Sequence, residues 1–225
     1  MRYISHLDIM RLFQRALKRT EIKLKYSEGY SPHPKMSIAQ PLSLGYTSIG
    51  EYIEIETQQD FSSEEVRERL ASAMPEGIDI VSCSLLKETK KAMGALITQG
   101  EYLIGGASAG GSEEELRALW EAVERFREES HILIKKVQKK SGKETEVDIR
   151  AMVKKIIPEE RNERYGLIRV FVDTGSTSHL NPEFIITKLK EYMGNSLHGM
   201  RFHVQREEMY TVSDNGTLIP LYLLK

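Results

Sequence analysis

Two histidines are the residues best suited to acid–base chemistry. His6 and His33 flank a run of basic and aromatic residues, and two imidazoles near neutral pH can act as general acid and general base. On an RNA substrate such a pair would support metal-free strand cleavage, which makes His6 and His33 the candidate catalytic residues. Other chemistries find less material. Cys83 is the single cysteine, so no internal disulfide and no cysteine-built iron–sulfur or zinc site can form. His6, Asp8 and His33 lack local ligand spacing such as H-x-x-x-H, and no metal or other cofactor is expected. The glycine-rich "GGASAGGS" lacks a following G-K-[S/T]. It leads into Glu113, Glu114 and Glu115, whose charge repels phosphate.

Binding chemistry is better represented. The stretch "EGYSPHPKMSIAQPLSLGY", residues 28–46, carries three prolines that stiffen it and two glycines that allow tight turns. A stiff loop loses less entropy on binding. Tyr26, Tyr30 and Tyr46 are candidates for stacking on bases, with His33 and Lys35 beside phosphate. The competing reading is a structural crossover whose tyrosines pack on a sheet. Arg11, Arg15 and Lys18 share one face of a helix by their spacing. In "KKVQKKSGKE", Lys135, Lys136, Lys139, Lys140 and Lys143 surround a Ser-Gly turn. The chain's net charge is -1, but residues 1–50 and 132–170 each carry an excess of five positive charges. These basic residues are therefore candidate nucleic-acid ligands if folding gathers them. A solvated, lysine-rich surface is the alternative.

The elements that would position them follow from periodicity and caps. Ser5 caps a helix over "HLDIMRLFQRALKR", with Leu7, Met10, Phe13 and Leu17 as its apolar stripe. Ser62 with Glu65, and Ser112 with Glu115, make capping boxes for two more helices. Asn181 and Pro182 open a fourth, which Gly194 ends. Strand patterns occupy "EYIEIET", "IDIVSCSLL", "EYLIG", "HILIKKVQ", "LIRVFVD" and "RFHVQREEMYTV". The strand ahead of the first helix is expected to be short. The order strand–helix–strand–strand–helix–strand then occurs twice. It predicts an α+β fold of two tandem ferredoxin-like (βαββαβ) units, each an antiparallel sheet with helices on one face. The units are expected at 1–90 and 100–225, the second with an expanded middle at about 139–163.

"YISHLDIMRLFQRAL", "YSEGYSPHPKMSIAQPLSLG" and "GEYIEIE" resemble the radical SAM-linked protein family of bacteria. Weaker matches are "VDIRAMV" and "LNPEFIITKL". Members of that family are encoded beside, or fused behind, an uncharacterised radical SAM protein, often near ribonuclease G and ribosomal protein genes. The resemblance implies a radical SAM protein as partner and an RNA- or ribosome-related particle as context. The chain itself lacks a C-x-x-x-C-x-x-C cluster. The leading expectation is an accessory module that binds RNA or a ribonucleoprotein, and not an enzyme. The alternatives are an RNA-processing or RNA-modifying enzyme using His6 and His33, and a protein–protein scaffold built on the acidic helices at 62–74 and 112–129. No run of about 20 apolar residues suits a membrane span. With no leader pattern, the expected location is the cytoplasm.

Overall fold

The computed structural model describes residues 1–86, 91–108, 112–137, 142, 144–161, 164–194 and 199–224. The chain forms two compact units, Met1–Ile97 with Thr211–Lys225, and Thr98–Tyr210. The C-terminal residues thus group with the first unit, whereas the sequence placed 100–225 together. No described helix is long and apolar enough to cross a membrane.

In unit 1, helix α1 spans His6–Arg19, and the Ser5 hydroxyl accepts from the Asp8 amide at 3.2 Å. Phe13, Ala16 and Leu17 are buried. Leu7 is 63% exposed, so it does not belong to the inward stripe expected of it. The buried stripe runs one position round, with Ile9 and Leu12 beside Met10 at its margin. Strands β1 (Met36–Ile38), β2 (Thr47–Ser48) and β3 (Ile53–Ile55) follow. β1 and β3 pair antiparallel, with Met36 opposite Ile55 and Ile38 opposite Ile53. Helix α2, Ser63–Ala73, is capped by Ser62 and buries Val66 and Leu70. These residues join Phe13, Leu17, Ile22, Leu24 and Met36 in one core. The strand expected at "IDIVSCSLL" does not form. Residues 78–86 carry no strand pairing, although Ile78, Ile80 and Cys83 lie against that core. Burial raises the Cys83 thiol above its ordinary pKa.

Unit 2 begins with β4 (Gln99–Ala107), α3 (Glu113–Glu128), β5 (Leu133–Val137) and β6 (Glu144–Asp148). It continues with β7 (Val153–Arg161), β8 (Tyr165–Asp173), α4 (Glu183–Met193) and β9 (Arg201–Val212), in which the chain leaves the unit. A short β10, Leu218–Pro220, comes last. The strands lie in the order β9-β4-β8-β7, each neighbour antiparallel. Tyr102, Ile104 and Gly106 on β4 pair with Val170, Ile168 and Gly166 on β8. Period-two alternation puts these six on one face. Leu116, Leu119, Val123 and Phe126 of α3 are buried, as are Ile185, Ile186 and Leu189 of α4. A Cβ added at Gly106 would lie 2.9 Å from the Leu119 side chain, and one at Gly166 2.9 Å from Trp120. The two glycines therefore set how closely α3 approaches the sheet.

The expanded middle holds a surprise. "HILIKKVQ" reads as a strand of the main sheet, but among the described residues β5 pairs only with β6, as a separate ribbon. The sheet position falls to β7, residues of the presumed insertion. Pro158 obscures β7 in the sequence. It is tolerated because β7 is the outermost strand of this order and its pairing shifts register between Pro158 and Glu160. The fold is α+β with antiparallel sheets and, among the described residues, four α-helices.

Candidate functional site

The loop after α1 closes as a small hairpin. Tyr26 and Pro34 form an antiparallel bridge, and the Ser27 amide donates to the His33 carbonyl at 2.9 Å. At the hairpin base the Lys35 amide donates to the Lys25 carbonyl, and the Lys25 amide to the Glu56 carbonyl, both at 2.8 Å. The turn passes through Gly29 at φ +116°, a conformation that glycine adopts without strain. This places Tyr30 at the tip with its side chain entirely in solvent, while Tyr26 is 47% exposed. Tyr46, also a stacking candidate by sequence, is buried at 8% and belongs to the interior instead.

His33 is exposed on the same hairpin. Its own amide donates to Ser27 Oγ at 3.0 Å, and Nδ1 meets that same oxygen at 2.8 Å. The hydroxyl can donate to Nδ1 or accept from it, according to the tautomer. Nε2 is the ring nitrogen available to a phosphate or a base edge. Lys35 is adjacent but forms an ion pair with Glu56 at 2.8 Å, which reduces the charge it offers.

His6 stands exposed in the first turn of α1. No hydrogen bond or ion pair among the described residues joins it to His33, and no group of three metal-ligating side chains occurs among them. On α1, Arg11 is tied to Asp8 at 3.1 Å, and Asp8 lies below its usual pKa because the Ser5 hydroxyl and Arg11 bond to it. Arg15 and Lys18 are exposed, and the Arg15 charge also acts on Asp8.

In unit 2, Lys135 and Lys136 lie on β5 opposite Glu146 and Thr145 of β6. An acidic strand therefore offsets the basic one. Lys139, Lys140 and Lys143 lie outside the described residues. A cationic group that the sequence did not single out involves Lys136. Burial, then the charges of Arg206 and Lys136, push His179 below its ordinary pKa. The only sequence signal for it was the alternation of "RFHVQREEMYTV". The sheet face opposite the helices is unsuited to phosphate. There Arg169 bonds to Glu101 and Glu159 and approaches Glu207 at 3.8 Å, and the Tyr210 hydroxyl also donates to Glu101.

Part of the charge on the acidic helices is neutralised within each helix, although α3 keeps more carboxylates than arginines. Glu65 pairs with Arg69 at 2.6 Å, Glu124 with Arg127 at 2.8 Å and Glu129 with Arg125 at 2.9 Å. Glu64 also pairs with Arg67. Glu115 is buried at 4%, where it accepts from Ser108 Oγ and from the Gly199 amide at 2.7 Å. These pairings weaken both helices as a docking surface.

No curated protein matches the chain. A chain in the crystal structure of a Cbf5-Nop10-Gar1 complex is 14% identical with a TM-score of 0.49. That likeness covers 93% of this protein and 46% of the other. Residues 1–182 match the model of a family described as "Uncharacterized protein conserved in bacteria (DUF2344)", and the chain belongs to that family.

Proposed function

We propose that this protein is a non-catalytic binding module that presents the Tyr26–Lys35 hairpin to single-stranded RNA or to an exposed RNA segment of a ribonucleoprotein. The carrying observation is the fully exposed Tyr30 at the tip of a hairpin closed by backbone bonds. An exposed ring on a preordered backbone stacks on a base at little entropic cost. Tyr26 supplies a second ring, His33 Nε2 a hydrogen-bonding atom, and Arg15 and Lys18 exposed positive charge in the same unit. In this reading His6 is a surface residue of α1 and His33 a binding rather than a proton-transfer group. Cooperation with a radical SAM protein rests on the family resemblance alone.

We also propose that both units derive from a ferredoxin-like plan, 1–90 and 100–225 by sequence. The order β9-β4-β8-β7 in unit 2 supports this, with β5 and β6 as an insertion after α3.

The test is titration of the purified protein with fluorescent single-stranded RNA over a salt series. Binding should weaken steadily with salt. Tyr30→Ala should weaken it by about five- to 100-fold, the loss of one stacked base. Wild-type protein that binds no RNA at low salt would end this reading.

A further inference from the structure

The hairpin that carries Tyr30 has a cationic face. Along residues 22–25, Ile22 and Leu24 are buried while Lys23 and Lys25 are exposed, the period of two of an extended strand. The bridge of Tyr26 to Pro34 fixes the register across the hairpin. It puts Ser27 opposite His33 and Lys25 opposite Lys35. The bonds from the Ser27 amide to the His33 carbonyl and from the Lys35 amide to the Lys25 carbonyl agree with that register. Residues two apart on a strand, and residues directly opposite across a pair, share a face. Lys23, Lys25, His33 and Lys35 therefore project from the same side, and all four are exposed.

Two carboxylates lie on that side of the neighbouring strand. The bridge of Leu24 to Thr57 brings Glu56 opposite Lys25, and Glu54 stands opposite Ser37 of β1. Glu56 is bonded to Lys35 at 2.8 Å, and Glu54 accepts from the Met93 amide at 3.1 Å. Lys23 and Lys25 form no ion pair among the described residues. The cationic groups fall in three rows: Lys23, then Lys25 with Lys35, then His33. Successive rows are two residues apart, about 6.7 Å along the strand, a step close to the phosphate repeat of an extended single strand. We infer that this face is a track for the RNA backbone, an inference that rests on the proposed RNA-binding role of the hairpin. Lys23 and Lys25 take successive phosphates of the strand whose base stacks on Tyr30, and His33 stands beside the phosphate nearest the tip. The ligand is thus an unpaired base followed by a short extended run of the same strand.

The test is the salt dependence of binding to fluorescent single-stranded RNA. Lys23→Gln and Lys25→Gln should each lower the slope of log affinity against log salt by about 0.7, and together by about 1.4. Lys23→Arg combined with Lys25→Arg should keep the wild-type slope. Tyr30→Ala should weaken binding and leave the slope alone, because a stacked ring releases no counterion. Both lysine side chains are exposed, so the thermal midpoints should stay near wild type. Wild-type protein that binds through Tyr30 while the double glutamine variant keeps its slope overturns the track and leaves the binding module standing. Lys155→Gln, on β7 of unit 2, is the control for net charge, and an equal fall in slope there overturns the track as well. Absence of RNA binding by the wild type ends both.

Discussion

Arg19 and Arg69 cap each other's helices. The Arg19 guanidinium at the end of α1 donates to the Ala73 carbonyl of α2 at 2.7 Å, and Arg69 of α2 donates to the Thr20 carbonyl at 3.2 Å. The last carbonyls of a helix have no partner within it and carry its negative end, so a cation there is favourable. Arg69 is also held by Glu65 and lies 5.4 Å from the Phe61 ring.

Arg19→Met and Arg69→Met should each cost about 0.5–1 kcal/mol of stability, the range for partly exposed charged bonds. The double variant should cost less than the sum, because both arginines hold the same two helix ends together. Urea unfolding of the four proteins in this cycle measures the coupling. Strict additivity would mean that the caps act independently.

Gly106→Ala and Gly166→Ala should each destabilise unit 2. The added methyl would meet Leu119 or Trp120 at 2.9 Å, and relief requires α3 to shift from the sheet. Overpacking of this kind costs about 1–3 kcal/mol. A drop in thermal midpoint for both variants, against little change for Gly105→Ala, whose added methyl would lie at least 3.4 Å from its nearest neighbour, Leu167, distinguishes crowding from loss of glycine as such.

Asp148 gives the protein an acid limb. The amides of Arg150 and Ile132 and the His131 ring hold its pKa at about 2, below the ordinary 3.8. A depressed carboxyl stabilises the fold above its unfolded pKa, and that contribution fades as pH falls from about 4 toward 2. Asp148→Asn should therefore be less stable than wild type at pH 6, with the gap closing near pH 2. Chemical unfolding across that range reads it directly. A gap that persists at pH 2 would point to lost packing rather than to charge.

Glu56→Gln should release Lys35 from its ion pair at 2.8 Å. If the hairpin binds RNA, the variant should bind more tightly. Its plot of log affinity against log salt should steepen by about one unit, the signature of an additional phosphate contact. An unchanged slope would place Lys35 outside the RNA interface.

How much of this was legible in the sequence differs by element. The serine caps were, because a hydroxyl three residues ahead of an acidic side chain states its own geometry, and Ser5, Ser62 and Ser112 all cap as expected. β7 was not, since Pro158 and its charged neighbours suit an edge strand as well as a loop, and only the tertiary order separates the two. "IDIVSCSLL" had the right composition, but a strand also needs a neighbour to bond. Around the site, the sequence supplied the tyrosines without their exposure. Tyr30 and Tyr46 differ only in that one rides a turn with nothing beneath it and the other follows Gly45 into the interior. The partner of Lys35 was invisible for a similar reason: Glu56, just past β3, lies 21 residues along the chain, whereas Asp8 sits one helix turn from Arg11.

The return of residues 211–225 to the first unit bears on biosynthesis. A ribosome delivers residues 98–210 before it delivers that closing piece, so the second unit can mature while the first still waits for its remainder. A truncated chain released at residue 210 would therefore be expected to hold every residue of the second unit and to lack part of the first, leaving the first the more open to proteases.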